Sequence, residues 1–511
     1  MWGRTAWVAG TAAACGLLLA AGSCVSDATP TNDSGADAPV APSDGGADGC
    51  GLTMCGAACV DTQSDNANCG GCGKACTGAD KCSEGVCGGA KAVAIATTGF
   101  ASYVLLASGS VWAWGLGDGA ELGVAPNDLS QVCSGFTQTW KCRSTPTRVP
   151  GLSNVTAITG GTAYGCALKG DGTVWCWGNN RNAQLGHPPG SGGDIDCGGR
   201  ACNPKPTQVS IPSATGIAGG GNSTCAVTGT GDVYCWGRDE FGQSSGTLPA
   251  LQTALIGPTK IPLPSQASQV MGGASFNCAV LTNTQTWCWG GNSNGILGHL
   301  ASTGPDRKPC WGDAGAGPPC APPSPVRDAM SNPFLDIWPG TLRGGPANCG
   351  ITSGAKLWCW GTNESYQFGA AAPPSSVSPI QVPGTFVNVD VGDTMCAAST
   401  NDEILCWGLN ELGAIGLGST STGMPCPWDA TFKCVLTPTV IPNVKARRVV
   451  VGGSYVLAMS TDGHVWGWGL NHFGQTGHQP GTKGDVENQT MTGNKGWVSM
   501  SPVPVEGLPP L

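Results

Sequence analysis

The sequence has little charge and no cluster of positive charge. Charged residues make up 11% of the chain, the formal net charge is −9, and no run of lysine or arginine occurs. Because nucleic-acid-binding proteins meet the phosphate backbone with clustered Lys and Arg side chains, this composition argues against a nucleic-acid partner. Long apolar runs are also missing, since the one near the start, residues 12–21, is too short to cross a bilayer as a helix.

Recognisable catalytic motifs are missing as well. No serine lies in a nucleophile-elbow setting, and no glycine-rich loop with a lysine has phosphate-cradle spacing. Of the five histidines, His472 and His478 are the pair closest to metal-ligand spacing, but we expect this loop pair to face solvent. Acidic residues after Trp-Gly pairs, such as Asp239 and Glu411, suit turns better than a cation site. The sequence predicts no catalytic residue, no metal and no cofactor.

Cysteine, in contrast, is abundant. The chain has 28 cysteines, which indicates an oxidising compartment. Arg4, the short apolar run and Ala21-Gly-Ser-Cys24 predict an export signal over residues 1–23. The small residues before Cys24 resemble the lipobox of bacterial lipoproteins, which implies that Cys24 is lipidated and anchors the chain in the outer membrane or at the cell surface. The periplasmic face and an ordinary cleaved signal stay open as alternatives.

The remaining cysteines are even in number. Setting aside Cys15 in the signal and Cys24 for the lipid leaves 26 of the 28, which fits 13 disulfides. Residues 24–49 contain almost no large apolar side chain and predict a disordered tether. Residues 50–88 hold eight cysteines without histidine and predict a small module with four disulfides. Its connectivity is open, and the alternative is a zinc site at the spacing of Cys69 and Cys72.

A repeat occupies residues 90–511. Each copy contains a Trp-Gly pair, preceded by apolar and polar residues in alternation and by Gly-rich turns. This pattern predicts short antiparallel strands that must stack with neighbouring copies to bury both faces. The seven pairs begin at Trp114, Trp177, Trp236, Trp289, Trp360, Trp407 and Trp468.

Segments such as Trp177-Gly-Asn-Asn-Arg-Asn-Ala-Gln-Leu-Gly186 resemble the repeat of the regulator of chromosome condensation family. The resemblance implies an all-β fold, a seven-bladed β-propeller. Proline-led segments such as Pro146-Thr-Arg-Val149 precede every copy except the first, and Pro502-Val-Pro-Val505 ends the chain. We therefore expect a propeller closed by both termini, with one blade that takes strands from each end and leaves no open edge.

Two sets of cysteines recur within the repeats. In five copies two cysteines ten residues apart flank a hairpin turn, which predicts disulfides between adjacent strands. These are Cys166 with Cys176, Cys225 with Cys235, Cys278 with Cys288, Cys349 with Cys359 and Cys396 with Cys406. The second set lies in long loops of copies one, two, four and six and predicts disulfides on one face of the propeller. These are Cys133 with Cys142, Cys197 with Cys202, Cys310 with Cys320 and Cys426 with Cys434.

The long loops also carry aromatic side chains. Trp140, Trp311, Trp428 and Phe432 lie within or beside them, and cross-linked loops on a rigid scaffold suit a prearranged contact surface. We therefore expect an anchored, monomeric scaffold that binds an unknown protein partner. Two alternatives stay open: a lyase or hydrolase that acts on a glycan or small molecule at the propeller funnel, and a structural or adhesive envelope component. A further alternative for the loop disulfides is that they only restrain long insertions.

Overall fold

A computed structural model describes residues 52–56, 58–78, 80–134, 139–247, 255–299, 319–326, 334–339, 347–369, 372–489 and 495–510. The predicted signal (1–23), the tether (24–49), Cys50, Cys310 and Trp311 lie outside these ranges. The structure confirms the all-β, seven-bladed propeller. Its described helical segments are single 3-10 turns, at Pro126–Asp128, Ser293–Gly295 and Glu411–Gly413. None of the helices in these ranges has the length and apolar character that crossing a membrane requires.

The cysteine-rich module has two small hairpins, β1 (Thr53–Cys55) with β2 (Ala58–Val60) and β3 (Cys82–Ser83) with β4 (Val86–Cys87). It packs on the first blade, where the Ser108 amide donates to the Gly89 carbonyl at 3.2 Å. Cys59 is also disulfide-bonded. The disulfides found within the described part of this module are Cys55–Cys72, Cys69–Cys82 and Cys76–Cys87.

Each blade is an antiparallel sheet built from one continuous stretch of chain. The strands of blades 1 to 3 are β5 (Ala92–Thr97), β6 (Ala101–Leu106), β7 (Val111–Leu116), β8 (Val132–Ser134), β9 (Thr139–Arg148); β10 (Val155–Gly160), β11 (Tyr164–Lys169), β12 (Val174–Asn179), β13 (Ile195–Asp196), β14 (Ala201–Gln208); and β15 (Ala214–Gly219), β16 (Ser223–Thr228), β17 (Val233–Arg238), β18 (Leu255–Lys260).

The strands of blades 4 to 7 are β19 (Ala267–Gly272), β20 (Phe276–Leu281), β21 (Thr286–Gly291), β22 (Cys320–Pro325); β23 (Phe334–Pro339), β24 (Ala347–Thr352), β25 (Leu357–Thr362), β26 (Ser375–Val382); β27 (Phe386–Asp390), β28 (Thr394–Ser399), β29 (Glu403–Leu409), β30 (Met424–Pro425), β31 (Lys433–Lys445); and β32 (Arg448–Val451), β33 (Tyr455–Met459), β34 (Val465–Leu470), β35 (Val486–Gln489), β36 (Lys495–Pro504).

The expectation that one blade takes strands from both ends of the chain is wrong. The proline-led segment is the outer strand of the preceding blade, since Arg148 pairs with Trp112 in blade 1 and Pro504 pairs with Trp466 in blade 7. Proline is tolerated there because an outer strand needs no hydrogen bonds on its free side. The first and last blades are each complete, and the ring closes where β5 of blade 1 contacts β32 of blade 7.

The tryptophan of every Trp-Gly pair joins two blades. Its indole Nε1–H donates to a backbone carbonyl of the preceding blade at 2.8–2.9 Å, and all seven indoles are fully buried. Trp114 of blade 1 donates to Gln475 of blade 7, so the same bond that links neighbours also closes the ring. The acceptor carbonyls, in the order of the seven donors, belong to Gln475, Glu121, Gln184, Gln243, Ile296, Gln367 and Ala414.

The glycine of each pair occupies a β-bulge. All seven glycines have φ between 89° and 109°, a left-handed conformation that glycine adopts without the steric penalty of a Cβ. The strand register shifts at this point, as between Cys176 and Gly178. A Cβ at Gly115 would also lie 2.4 Å from the Phe100 carbonyl oxygen. The Trp-Gly signature therefore encodes one blade-to-blade bond and one bulge.

The five cysteine pairs of the blades are disulfides between directly opposed residues of the second and third strands. In each pair the two Cα atoms lie 4.0–4.2 Å apart, and these are the pairs that the spacing predicts. Blade 7 has Leu457 opposite Gly467 instead. A Cβ at Gly467 would lie 2.4 Å from the Thr476 carbonyl oxygen, so this blade has no room for a second cysteine. The disulfides of blades 2 to 6 are Cys166–Cys176, Cys225–Cys235, Cys278–Cys288, Cys349–Cys359 and Cys396–Cys406.

Replacing Trp114 with phenylalanine tests the ring-closing bond. The Gln475 carbonyl would keep the Ser102 hydroxyl as a donor but would lose the indole N–H, and the core would lose part of a fully buried ring. We expect the free energy of unfolding to fall by roughly 2–3 kcal/mol, measured by denaturant titration of the oxidised protein. The matched control is Trp112→Phe in the same strand, whose half-buried indole N–H donates to the Ser110 hydroxyl of its own blade. Equal losses in the two variants would contradict a special role for Trp114.

Candidate functional site

A cavity of about 390 Å³ opens near the propeller axis, and we call it the axial cavity. The turns between the first and second strands of blades 1, 2, 6 and 7 supply part of its wall, as at Phe100 and Ser454. The segments that follow the Trp-Gly pairs of blades 1 and 6 supply the rest, together with Trp140 and Arg200 from two long loops. The cavity size falls in the range of about 300–1,000 Å³ that is usual for ligand sites.

Acidic side chains dominate the charge of this wall. Asp118, Glu121, Asp393 and Glu411 line the axial cavity, whereas Arg200 is the one basic residue that lines it within the described part of the chain. Glu411 was expected to serve a turn, and Asp118, Glu121 and Asp393 were not among the predicted site residues. The structure therefore gathers acidic groups that lie far apart along the chain, from blades 1 and 6.

Glu121 differs from its equivalents in other blades. The backbone carbonyl at this position accepts the next tryptophan, and in four other blades the residue is Gln184, Gln243, Gln367 or Gln475. Each glutamine side-chain oxygen accepts the amide two residues before it, and Glu121 likewise accepts the Gly119 N–H at 2.8 Å. Blade 1 thus places a carboxylate where most blades place a neutral amide.

Burial changes the acidity of this carboxylate. Glu121 is 4% exposed, and its pKa is raised to about 7, chiefly by its loss of solvation. The neighbouring Asp118 charge acts in the same direction, whereas hydrogen bonds from the Glu121 and Gly119 backbone N–H groups and the charge of Arg200 oppose the rise in pKa. Glu121 therefore changes its charge near neutral pH, unlike an exposed glutamate.

The described loop disulfides stand behind the cavity wall. Cys133–Cys142 packs with Phe100, Leu116 and Trp140, all of which line the cavity. Cys197–Cys202 packs on Ala120, next to Glu121, and Cys426–Cys434 packs on the lining residue Leu409. These are the predicted pairs, and they brace one face of the propeller, which we call the cavity face.

The aromatic residues of the loops have different positions. Trp140 is half-buried in the cavity wall. Trp428 is 43% exposed and stacks on Phe432 with ring centroids 5.0 Å apart, outside the cavity lining. Cys320 is disulfide-bonded, but its predicted partner Cys310 and the nearby Trp311 lie outside the described residues.

The expectation that His472 and His478 face solvent is wrong, because both are buried. His478 Nε2 lies 3.0 Å from Asp485, which also accepts the Asn471 side-chain amide. Blade 2 repeats this with His187, Asp194 and Asn180 at the same spacing of seven residues. In both loops the aspartate therefore bridges the histidine and the asparagine, and these hydrogen bonds stabilise the loop conformation.

The alternative prediction of a zinc site in the cysteine-rich module requires free thiolates. The sulfurs of Cys69, Cys76 and Cys87 lie within 4.8 Å of one another, but each belongs to a disulfide. Zinc binds thiolates, so this cluster offers no ligand set as it stands. It is the one metal-like cluster found among the described residues.

Parts of the repeat region match known family models. Two family models, both described as "Regulator of chromosome condensation (RCC1) repeat", match the chain. One covers residues 108–168 and 171–227, and the other covers residues 155–184, 214–243 and 446–475.

Relatives and solved structures resemble most of the propeller. The mitochondrial RCC1 domain-containing protein RUG3 of Arabidopsis thaliana is 26% identical over 54% of this chain and 67% of its own length. The human E3 ubiquitin-protein ligase HERC2 is 25% identical over 70% of this chain, but this chain spans only 7% of HERC2. The structure of Prp20p from Saccharomyces cerevisiae, described with its binding to Gsp1p and histones, has a TM-score of 0.58 at 18% identity. That likeness covers 82% of this chain and 88% of Prp20p, and shows the shared fold.

Glu121→Gln should change how stability depends on pH. The pKa of an unfolded glutamate is about 4.3, whereas the folded pKa is about 7. The folded state therefore holds the proton of Glu121 more tightly, so the contribution of this group to stability is fully present below about pH 4 and is lost as pH rises through about 7. We expect the variant to exceed the parent by roughly 2–4 kcal/mol at pH 8 and to match it near pH 4, measured by denaturant unfolding.

The control for this comparison is Glu403→Gln, which removes a carboxylate paired with Lys445 at the surface. Its stability difference from the parent should stay small at both pH values. A Glu121→Gln variant whose difference from the parent is the same at pH 4 and pH 8 would contradict the shifted pKa.

Proposed function

We propose that this seven-bladed propeller of RCC1 repeats is an envelope-anchored scaffold that binds a protein partner through the cavity face. One observation carries this proposal. Three loop disulfides, in blades 1, 2 and 6, each pack directly behind the wall of the axial cavity. Restrained loops lose little conformational entropy on binding, so such bracing favours a contact surface.

Relatives support a protein partner. Prp20p is described as binding Gsp1p and histones, so a propeller of this shape can present protein-binding surfaces. HERC2 carries the name of a ligase, but the match covers only 7% of it and transfers no enzymatic activity. The loops of this chain carry Trp140 and Trp428, and tryptophan is enriched at the binding hot spots of protein interfaces.

A second candidate function is hydrolysis of a glycan or small molecule in the axial cavity. It is favoured by the gathering of Asp118, Glu121, Asp393 and Glu411 and by the pKa of Glu121 near 7, because glycosidases use a raised-pKa carboxyl as a general acid beside a second carboxylate. Its signature would be product release from envelope glycans that disappears in Glu121→Gln.

Substitution of loop tryptophans tests the scaffold. From envelope extract, the full oxidised chain should capture a partner, and Trp140→Ala or Trp428→Ala should reduce capture at least tenfold, because hot-spot truncations cost about 2 kcal/mol or more. The matched control is Trp175→Ala, beside the turn between β11 and β12 at the opposite end of its blade. A partner lost equally in all three variants, or captured by none of the proteins, would count against the cavity face.

Anchoring is tested separately at Cys24. We propose that this cysteine is lipidated, since the 28 cysteines and the disulfides found in the structure suit an exported protein. A Cys24→Ser variant should move from the detergent phase to the aqueous phase on temperature-induced partitioning, because the lipid chains supply the membrane affinity. Cys15→Ser within the signal should partition as the parent does. Aqueous partitioning of the parent itself would refute lipidation.

A further inference from the structure

Glu121 is a buried carboxylate that faces the axial cavity with hydrogen-bonding capacity to spare. Its Oε2 accepts the Gly119 N–H at 2.8 Å, and its carboxylate also accepts the backbone N–H of Glu121 itself. An ionised carboxylate has about four acceptor sites, so these two bonds leave lone pairs for a cation. The side chain is 4% exposed yet contributes to the cavity lining. A buried anion without a counter-ion in contact is unfavourable, so the site would gain from a cation that enters the cavity.

The protein itself supplies little positive charge here. Arg200 lies on the exposed turn between Cys197 and Cys202, and no ion pair of Arg200 is found in the part of the chain that the structure describes. Asp118 adds a second carboxylate near Glu121, and its charge acts on the pKa of Glu121. The axial cavity therefore presents a negative potential that its own arginine offsets only in part.

The rest of the wall suits the stem of a long side chain. Phe100, Trp140 and Leu409 supply apolar surface, and each of them packs against a loop disulfide. Lysine and arginine combine an apolar stem with a charged end, and an aromatic ring such as Trp140 favours a nearby cation. An apolar wall with carboxylates matches both parts of such a side chain.

We propose that the axial cavity binds a cationic side chain, lysine or arginine, which a protein partner inserts at the cavity face. This inference rests on the proposed scaffold function and specifies the chemistry of its partner. Glu121 contacts the cation, Asp118 and Glu411 add to the attraction, and the loop disulfides hold the wall in place.

Binding of the cation must be linked to protonation of Glu121. The charged groups that face it are Asp118 and Arg200 from its own and the next blade, with Asp393 and Glu411 across the cavity, while Tyr103 donates to its backbone carbonyl. A bound cation favours the ionised carboxylate, so affinity should be low at pH 6 and should rise as pH passes about 7.

The experiment titrates the full oxidised chain with Nα-acetyl-lysine amide by ligand-observed NMR, beside the uncharged and similarly shaped Nα-acetyl-norleucine amide. At pH 8 the lysine probe should bind about tenfold more tightly than the norleucine probe, as a contact ion pair in a partly buried site implies. Lowering the pH to 6 should weaken lysine binding about fivefold. Glu121→Gln should bind the lysine probe, at both pH values, as weakly as the parent does at pH 6.

Glutamine is the residue at the equivalent position of four other blades, so the variant keeps the Gly119 contact and the fold. Glu403→Gln, far from the cavity lining, is the control and should bind as the parent does. Equal affinity for the two probes, or lysine binding unchanged by Glu121→Gln at pH 8, would overturn the inference.

Capture from envelope extract separates this inference from the scaffold function. If Glu121→Gln at pH 8 loses the partner that the parent captures, the inserted side chain is supported. If capture depends on Trp140 and Trp428 but not on Glu121, the cation site is refuted while the scaffold stands. If the lysine probe binds through Glu121 but no partner is captured, a protein source of the cation is refuted and a free amine is the ligand.

Discussion

The hydrogen bond from each blade's tryptophan to the carbonyl of the preceding blade is the contact on which the structure depends. A blade has only short strands, and it buries its two faces only against neighbours. The indole fills the space between two blades and donates to a buried carbonyl. A second side chain also donates to several of these carbonyls, as Ser102 does at Gln475 and Tyr103 does at Glu121. Because Trp114 of blade 1 makes the same bond to Gln475 of blade 7, the ring is closed by the interaction that also links consecutive blades.

Backbone contacts near the axis reinforce that ring. The amides of Gly453, Gly99, Thr162 and Gly221 donate in succession to carbonyls of Gly99, Thr162, Gly221 and Gly273 at 2.8–3.0 Å, which links blades 7, 1, 2, 3 and 4. The approach is close enough that a Cβ at Gly220 would lie 2.2 Å from the Gly273 carbonyl oxygen. Gly99, Thr162 and Gly453 of this series also line the axial cavity, so the cavity wall includes turns that are hydrogen-bonded to neighbouring blades.

The repeated local features could be predicted from the sequence, whereas contacts between residues of different blades or of irregular loops could not. Seven Trp-Gly pairs and five cysteine pairs are local signals, and they identified the blades and the opposed positions of Cys166 and Cys176. The placement of Pro146–Val149 failed because a proline-led edge strand can be assigned to either neighbouring repeat on pattern alone. His478 was misplaced because its partner Asp485 lies seven residues away in an irregular loop, where no strand or helix period relates the two. The cavity was missed because its walls come from separate turns of four blades.

One signal for the site was nonetheless present in the sequence. When the repeats are aligned on Trp-Gly, the position that accepts the next tryptophan is glutamine in four blades and glutamate in blade 1. A glutamine there would keep the Gly119 hydrogen bond and would avoid the burial of an ionisable group, so Glu121 is the less stable choice near and above neutral pH. In a propeller whose repeats otherwise favour stability, a buried carboxylate that lowers stability and faces a cavity is accounted for by the cation that we propose the cavity binds.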